Sequence, residues 1–206
     1  SKQEGNRSSR ADNWAWRLRW LAAVGPGEEG NMRKNVLMIL VAGCAALAFA
    51  TQSWQRYTPG KTGISVELPG KPEPMPLELP ADVKKEVSSM ENHMLFTGDF
   101  FVVVSKVTYS TMHVNLQGAA DGAVQRVQQT PGYQGKSFTQ KPFKMGSLSA
   151  IYIHGEYNVG GDPVVHHQIV VAKEKMLWQV VITYDARRAE RAADARRILD
   201  SVSISG

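Results

Sequence analysis

The sequence predicts an α+β fold in which an antiparallel sheet is covered by helices on both faces, an α/β/α sandwich. Residues 100–104 are five consecutive apolar residues, which is typical of a strand buried on both faces. Residues 116–127 place apolar side chains at helical spacing, and residues 137–184 contain four strand-like segments joined by short turns. A sheet that buries both faces needs a packed layer on each side.

The first part of the predicted domain contains one clear strand followed by a proline-rich segment. Ile64, Val66 and Leu68 alternate with more polar residues, which predicts a strand with one buried face. Prolines at positions 72, 74, 76 and 80 predict an extended loop without ladder pairing. Residues 84–96 fit one or two further strands.

The second part predicts a helix, a run of strands and a final helix. Asn115 fits the N-cap of the first helix, which ends before Pro131. The four strands that follow are predicted at about residues 137–145, 148–158, 163–172 and 176–184. Asp185 fits the N-cap of a last helix that runs to about Leu199, and residues 202–204 fit a closing strand or tail.

Residues 32–50 have the features of an export signal. Arg33 and Lys34 precede an apolar run that reaches Ala50. A run of roughly 15 residues is short for a membrane span and normal for a signal peptide. We therefore predict an exported protein, located in the periplasm or elsewhere outside the cytoplasm.

Two cleavage sites compete within this signal. Residues 41–44 resemble a lipobox, in which Cys44 would be lipidated and would become the first residue of a lipid-anchored protein. Residues 48–50 fit the small-x-small rule, and cleavage there would release a soluble protein that begins at Thr51. Contact with the membrane is expected only through the lipid anchor, if Cys44 carries one.

The chain divides into three predicted segments. Residues 1–31 match no targeting pattern, and we interpret them as translated sequence upstream of a true start at Met32, or as a disordered extension. The alternative is a short amphipathic segment at a membrane surface, formed by Trp14, Trp16 and Trp20 with Arg17 and Arg19. Residues 32–50 form the signal. Residues 51–206 are long enough for a single domain with a substantial core.

The charge distribution argues against a nucleic-acid partner. Residues 1–50 contain seven Lys and Arg against four Asp and Glu, and the remaining residues contain seventeen against fifteen. The net charge of the predicted domain is therefore only +2, although that of the whole chain is +5. A polyanion-binding protein is expected to carry a larger basic excess.

Two short motifs and the order of elements resemble the PsbP-like family, the extrinsic photosystem subunits and their bacterial relatives. Residues 63–72, GISVELPGKP, resemble the first strand of that family. Residues 198–204, ILDSVSI, resemble the end of its C-terminal helix, and the helix at 115–129 falls where the family has its first long helix. The resemblance implies an α/β/α sandwich that acts in assembly or binding without a shared catalytic site.

The sequence predicts no catalytic residue, no metal ligand and no cofactor. His166 and His167 are adjacent in a predicted strand, so their side chains point to opposite faces and cannot easily share an ion. Arg187, Arg188 and Arg191 near the start of the last helix form a candidate anion-facing patch for lipid headgroups or an acidic partner.

These observations predict a non-catalytic accessory or binding protein of the cell envelope with a protein partner. The alternative is a periplasmic carrier that holds a small ligand in a cleft between sheet and helices. A hydrolase is the third interpretation, and it requires a deep polar pocket that holds His154 or His166 beside a carboxylate.

Overall fold

The computed structural model describes residues 53–79, 81–135 and 138–205. The predicted export signal, Cys44 and the segment before that signal lie outside these residues. Within them no helix is long and apolar enough to cross a membrane. The elements that they form are, in order, β1 (Gln55–Tyr57), β2 (Ile64–Leu68), β3 (Glu73–Pro74), α1 (Ala81–Glu86), β4 (Val87–Phe96), β5 (Phe100–Tyr109), α2 (Leu116–Gln128), β6 (Tyr133–Gly135), β7 (Thr139–Met145), β8 (Leu148–Val159), β9 (Asp162–Lys173), β10 (Met176–Asp185), α3 (Glu190–Ser201) and β11 (Ser203–Ile204).

The main sheet has the strand order β3-β4-β5-β10-β9-β8-β6, with β7 paired to the free part of β8. Every pairing in it is antiparallel. The turns between β7, β8, β9 and β10 are two residues long, and such turns connect only antiparallel neighbours. The predicted antiparallel sheet is thereby confirmed.

The centre of the sheet is β5, the strand predicted from the apolar run. The side chains of residues 100–104 are all at most 7% exposed. Even-numbered residues of this run pack in one core cluster with Ile64 and Ile198. Val107, on the other side of the strand, packs with Ala120 and Ala123. The strand is therefore buried on both faces because a separate layer covers each face.

One face of the main sheet, here called the α3 face, is covered by helix α3 and by a second sheet of order β1-β2-β11. Ile64, Val66 and Leu68 of β2 are fully buried against it, as the alternation predicts. Trp178 of β10 is 1% exposed, and its indole Nε1 donates a 2.9 Å hydrogen bond to the carbonyl oxygen of Thr62. This bond ties the segment just before β2 to β10 of the main sheet.

The opposite face, here called the α2 face, carries helix α2. Asn115 caps this helix, since its side-chain oxygen accepts a 2.8 Å hydrogen bond from the backbone N–H of Gly118. The small side chains of Ala120 and Ala123 let the helix approach Ile153 closely. The predicted position of the helix and its cap are confirmed.

Residues 87–96 form one ten-residue strand, in agreement with the prediction for this segment, but the short helix α1 before it was not predicted. Two other local predictions were wrong. The proline-rich segment pairs with the sheet at β3, which is an edge strand and so tolerates Pro74. Asp185 ends β10 and accepts hydrogen bonds from Arg187, so α3 begins later and its N-cap, Ala189, makes no side-chain bond.

Candidate functional site

The two adjacent histidines of β9 lie on opposite faces of the sheet, as strand alternation predicts. His166 is 3% exposed and packs on the α2 face, with its ring centroid 5.6 Å from that of Phe138 and 6.3 Å from that of Tyr157. His167 packs on the α3 face against Tyr184. The two imidazoles therefore have separate environments and cannot ligate one ion.

A row of stacked rings crosses strands β8, β9, β10 and β5 on the α3 face. The centroids of His154 and His167 are 4.8 Å apart with planes inclined by 26°, and His167 lies 5.8 Å from Tyr184 at 23°. Tyr184 lies 6.1 Å from Phe100 at 27°. The ring of Tyr152 lies 6.5 Å from that of His154 and is nearly parallel to it, at 7°. We call these five residues the aromatic ladder.

The β8–β9 hairpin brings the two histidines of the ladder together. Gly160 and Gly161 both have positive φ, 59° and 88°, which glycine adopts freely and which a two-residue hairpin turn with the twist of the strands requires. Because the turn contains only these two residues, the register follows by counting outward from it, and His154 pairs with His167. Sequence inspection missed this pair, although the turn and the strand lengths contain the signal.

Burial favours the uncharged forms of three ladder residues, His167, Tyr152 and Tyr184. His167 Nδ1 and the Tyr152 hydroxyl are 2.6 Å apart, and His167 Nε2 and the Tyr184 hydroxyl are 3.4 Å apart. Burial, together with the neighbouring charges of His154 and His166, lowers the pKa of His167 to about 4. Burial also raises the pKa of both tyrosines above the ordinary value.

This arrangement suits binding better than proton transfer. A general acid or base works best when its pKa lies near the operating pH. Here burial moves the pKa of His167 down and the pKa values of Tyr152 and Tyr184 up, so the three groups move away from neutrality. These three side chains therefore offer neutral aromatic faces, held in place by the hydrogen bonds of His167 to the two tyrosine hydroxyls.

The two ends of the ladder differ. At the inner end the guanidinium carbon of Arg191 lies 5.5 Å from the centroid of Phe100 and closes the stack. At the outer end His154 pairs with Thr139 of β7, whose side chain is small. The side chain of His154 is 34% exposed, and within the described part of the chain no ring or cation stacks on the side that faces β7. Its Nδ1 is buried without a hydrogen-bond partner.

Charged groups of both signs surround the open end. Glu156 is exposed, and its Oε1 lies 4.0 Å from His154 Nε2. Arg196 of α3 is exposed and close enough to Tyr152 for its charge to lower the pKa of that hydroxyl against the effect of burial. Lys141 of β7 is paired with Tyr152. We call Lys141, Glu156 and Arg196 the rim of the ladder.

Arg187, the first arginine of the predicted anion-facing patch, is engaged by carboxylates of its own chain. Its guanidinium donates to both oxygens of Asp185 and to Asp162 Oδ1, the last at 3.1 Å. Its backbone N–H also donates to Asp185 Oδ1 at 3.0 Å. These bonds fasten the segment before α3 to the ends of β9 and β10.

Arg188 and Arg191 converge on Asp99, in the turn between β4 and β5. Arg188 Nε lies 2.9 Å from one oxygen of Asp99, and Arg191 Nη2 lies 2.7 Å from the other. Burial alone would raise the pKa of Asp99, but the hydrogen bonds and charges of Arg191 and Arg188 outweigh it and hold that pKa below its ordinary value. The patch thus joins α3 to the sheet, and binding of an external anion there stays a prediction.

A second histidine–carboxylate pair lies at the opposite edge of the sheet. His93 Nε2 donates a 3.1 Å hydrogen bond to Glu91 Oε1, which also accepts from the backbone N–H of Lys61 at 2.8 Å. Burial would raise the pKa of Glu91, but these two hydrogen bonds lower it below the ordinary value. His93 lines an opening of about 270 Å³ beside Lys71. The pair mainly ties the β1–β2 loop to β4.

An open apolar groove runs between the start of α2 and strand β7. It has a volume of about 500 Å³ and is lined by Leu116, Pro142, Phe143, Lys144 and Ile151, among others. This is the cleft between sheet and helix that a carrier would need. Leu116 and Ile151 belong to the cluster on the α2 face, whereas Phe143 pairs with Ala150, which packs in the cluster on the α3 face, so the groove is lined from both sides of the sheet at β7.

Two serines and two carboxylates of β8, β9 and the turns beside them also have side chains suited to catalysis, and they lie at separate positions. Ser149 Oγ lies 2.8 Å from Lys144 Nζ, and Ser147 lies exposed in the turn before β8. Glu156 is 72% exposed, and Asp162 forms an ion pair with Arg187. Within residues 53–79, 81–135 and 138–205 no group of three or more His, Cys, Asp or Glu side chains could hold a metal ion.

Comparisons with known proteins identify the fold. No family model and no curated protein matches the chain. The solution structure of cyanobacterial PsbP (CyanoP) from Synechocystis sp. PCC 6803 matches with a TM-score of 0.54 and 11% identity, over 80% of this chain and 99% of that one. LpqN, involved in cell envelope biogenesis of Mycobacterium tuberculosis, matches with a TM-score of 0.41 and 16% identity, over 74% and 79%. A protein of unknown function from Pseudomonas aeruginosa matches at 0.40 and 11%, over 69% and 90%.

The chain has the α+β fold of the PsbP-like proteins, a mostly antiparallel sheet with a few helices packed on it. The likeness to the cyanobacterial structure extends over nearly the whole of that protein. The predicted resemblance and fold class are thereby confirmed. At 11% identity the match concerns the fold alone, so function has to be argued from the residues of this chain.

Proposed function

We propose that this protein is a non-catalytic accessory protein of the cell envelope that binds a partner through the outer end of the aromatic ladder. The observation that carries the proposal is the position of His154, which ends a stack of rings and is 34% exposed beside a polar rim. Exposed aromatic groups flanked by charged ones are typical of binding surfaces.

The geometry supports binding over catalysis. The hydrolase interpretation requires a deep pocket with His154 or His166 beside a carboxylate. Glu156, the carboxylate near His154, is itself 72% exposed, and the two openings described above are lined by neither histidine. His166 is buried between aromatic rings and bonded to Gln168.

Export remains the proposed route to the envelope. It rests on the cationic residues Arg33 and Lys34 and the apolar run up to Ala50. Fractionation of producing cells followed by intact-mass measurement distinguishes the two processed forms. A membrane-bound chain that begins at an acylated Cys44 supports a lipoprotein, a free chain that begins at Thr51 supports a soluble envelope protein, and an unprocessed chain in the cytoplasm contradicts the proposal.

Site-specific photocrosslinking in intact cells tests the binding surface. A benzoylphenylalanine in place of Phe143, which is 37% exposed on β7 next to the rim, should capture a defined envelope partner. The matched control places the same probe at Arg126, exposed on α2 across the sheet. The adduct should disappear when His154→Ala is added. The same adduct from both positions, or an adduct that survives His154→Ala, would contradict the proposal.

A small-ligand carrier is the second candidate, and the groove beside Leu116 favours it. Its volume of about 500 Å³ falls in the range of small-molecule sites, and its lining is mainly apolar with Lys144 at one side. A carrier should show saturable thermal stabilisation by one envelope metabolite, which Ile151→Trp should abolish by filling the groove. Stabilisation that persists in this variant would place the ligand elsewhere.

A further inference from the structure

We infer that the ligand recognised at the outer end of the aromatic ladder carries a planar unsaturated ring, which stacks on His154 as the next ring of the row. This inference deepens the proposed function and rests on it. Three features of the described residues carry it: the regular spacing of the rings, the open side of the last ring and the polar groups around it.

The spacing of the row is that of stacked aromatic groups. Successive centroids from His154 through His167 and Tyr184 to Phe100 are 4.8, 5.8 and 6.1 Å apart, and neighbouring planes are inclined by only 23° to 27°. Rings at such distances favour an offset-stacked arrangement. A planar ring placed on His154 would repeat the same geometry over strand β7.

Among the described residues no ring or cation stacks on the side of His154 that faces β7, and the side chain of His154 is 34% exposed. Its other side is occupied by His167, and on β7 the residue in register is Thr139, too small to serve as a ring. At the inner end, by contrast, the Arg191 guanidinium covers Phe100. The row is thus closed at one end by a planar cation and open at the other.

Hydrogen-bond donors and an acceptor lie around the position that the edge of such a ring would take. The Thr139 hydroxyl and the Lys141 ammonium belong to β7, while the Glu156 carboxylate lies 4.0 Å from His154 Nε2. Lys141 can donate hydrogen bonds and Glu156 can accept them, whereas the Thr139 hydroxyl already donates to the backbone carbonyl oxygen of His154 at 3.3 Å. Because positive and negative groups are both present, the surface selects for a ring with polar substituents and not for one sign of charge.

A pair of probes that differ only in planarity tests this inference on the full-length protein. Calorimetric titration compares 2-naphthoate with decalin-2-carboxylate, a saturated compound of the same size and charge. We expect 2-naphthoate to bind at least about ten-fold more tightly, in line with the strength of stacking on aromatic groups. His154→Ala should remove this preference and His154→Phe should keep it, while His113→Ala, at an exposed histidine before α2, should change nothing.

Equal affinity for the two probes, or a preference that survives His154→Ala, would overturn the inference. That result differs from a failure of the proposed function. If the Phe143 probe still captures a partner in a His154-dependent manner, the surface binds without ring stacking, and only the ligand class is wrong. If both experiments fail, the binding surface itself is wrong.

Discussion

His166 and His167 are adjacent in the sequence, and burial lowers the pKa of both although they lie on opposite faces of the sheet. His166 lies between aromatic rings on the α2 face, where the ring of Phe138 passes so close to Gly155 that a Cβ there would lie 2.4 Å from it. Burial lowers the pKa of His166 to about 4, against the effect of the hydrogen bond that its Nε2 donates to Gln168 Oε1. Both histidines are therefore neutral in the folded protein at pH 7 and stabilise it only in that form.

The first prediction concerns His166 and the loss of stability in acid. Its pKa is about 4 in the folded state and about 6.5 in the unfolded state, so the unfolded chain binds more protons between these values. The free energy of unfolding should be intact above pH 6.5 and should fall as the pH drops toward 4, by at most about 3 kcal/mol from this residue. Urea titrations across this range measure the loss.

Two variants isolate the contribution of His166. His166→Gln cannot titrate, so its stability should depend less on pH than that of the parent, even if it is lower at pH 7. His113→Gln, at an exposed position, should leave the pH dependence of the parent unchanged. If His166→Gln and the parent lost the same free energy between pH 7 and pH 4.5, His166 would not be the buried neutral group described here.

At the scale of elements, α2 begins where its cap dictates. The second prediction is that Asn115→Ala lowers the free energy of unfolding by about 0.5–2 kcal/mol, because the N–H of Gly118 loses its acceptor. Asn115→Asp, which keeps an acceptor and adds a favourable charge at the helix N-terminus, should stay within a few tenths of a kcal/mol of the parent. Equal losses in the two variants would show that the cap does not hold this end of the helix.

Helix α3 begins without a side-chain cap and with cations near its N-terminus, where the helix dipole disfavours them. Ion pairs with Asp99, Asp162 and Asp185 offset this cost. Their exposure differs, since the side chain of Arg191 is 18% exposed and that of Arg188 is 56% exposed. The inner pair therefore contributes more to holding the helix on the sheet.

The third prediction compares these two arginines. Arg191→Met should lower the free energy of unfolding by about 1–3 kcal/mol, because it leaves the partly buried carboxylate of Asp99 short of a partner. Arg188→Met removes a mostly exposed pair and should cost less than about 1 kcal/mol. Chemical denaturation of both variants checks the order, and a larger loss for Arg188→Met would contradict this account of how α3 is held.

At the scale of the whole molecule, the two sheets should unfold as one unit. Trp178 is 1% exposed and joins them through its bond to the carbonyl of Thr62. The fourth prediction is that, in hydrogen exchange at rising denaturant, peptides from β2 and β10 become exposed together. Trp178→Phe should lower the free energy of the opening that β2 and β10 share by about 2–4 kcal/mol. Opening of β2 well before β10 in the parent would contradict this coupling.

Much of the fold follows from local pattern. The apolar run at residues 100–104 predicted the central strand, and the helical spacing of apolar residues predicted α2. The two-residue turns predicted the antiparallel order. Each of these patterns is set by residues close in sequence. The errors occur where distant contacts decide. Pro74 lies in the edge strand β3 because that segment pairs with β4. Asp185, which was expected to cap the last helix, instead accepts hydrogen bonds from Arg187.

The candidate site could not be predicted to the same extent. His154 and His167 are separated by a hairpin, and only the register of that hairpin makes them neighbours. Counting from the turn at Gly160 and Gly161 yields this pair, but the contacts with Tyr184 and Phe100 need the order of four strands. The burial that lowers the pKa of His167 depends on the packed layers and is invisible in the sequence.

The most direct test of the central claim, that the ladder binds and does not transfer protons, is an NMR titration of the His167 imidazole. Ring resonances of the full chain, assigned with a His167→Gln variant, are followed between pH 8 and the onset of acid unfolding. The account predicts that His167 stays neutral through this range, with a pKa near the value of about 4 that burial imposes. A pKa between about 6 and 7.5 would contradict it, because His167 would then be suited to act as a general base at neutral pH.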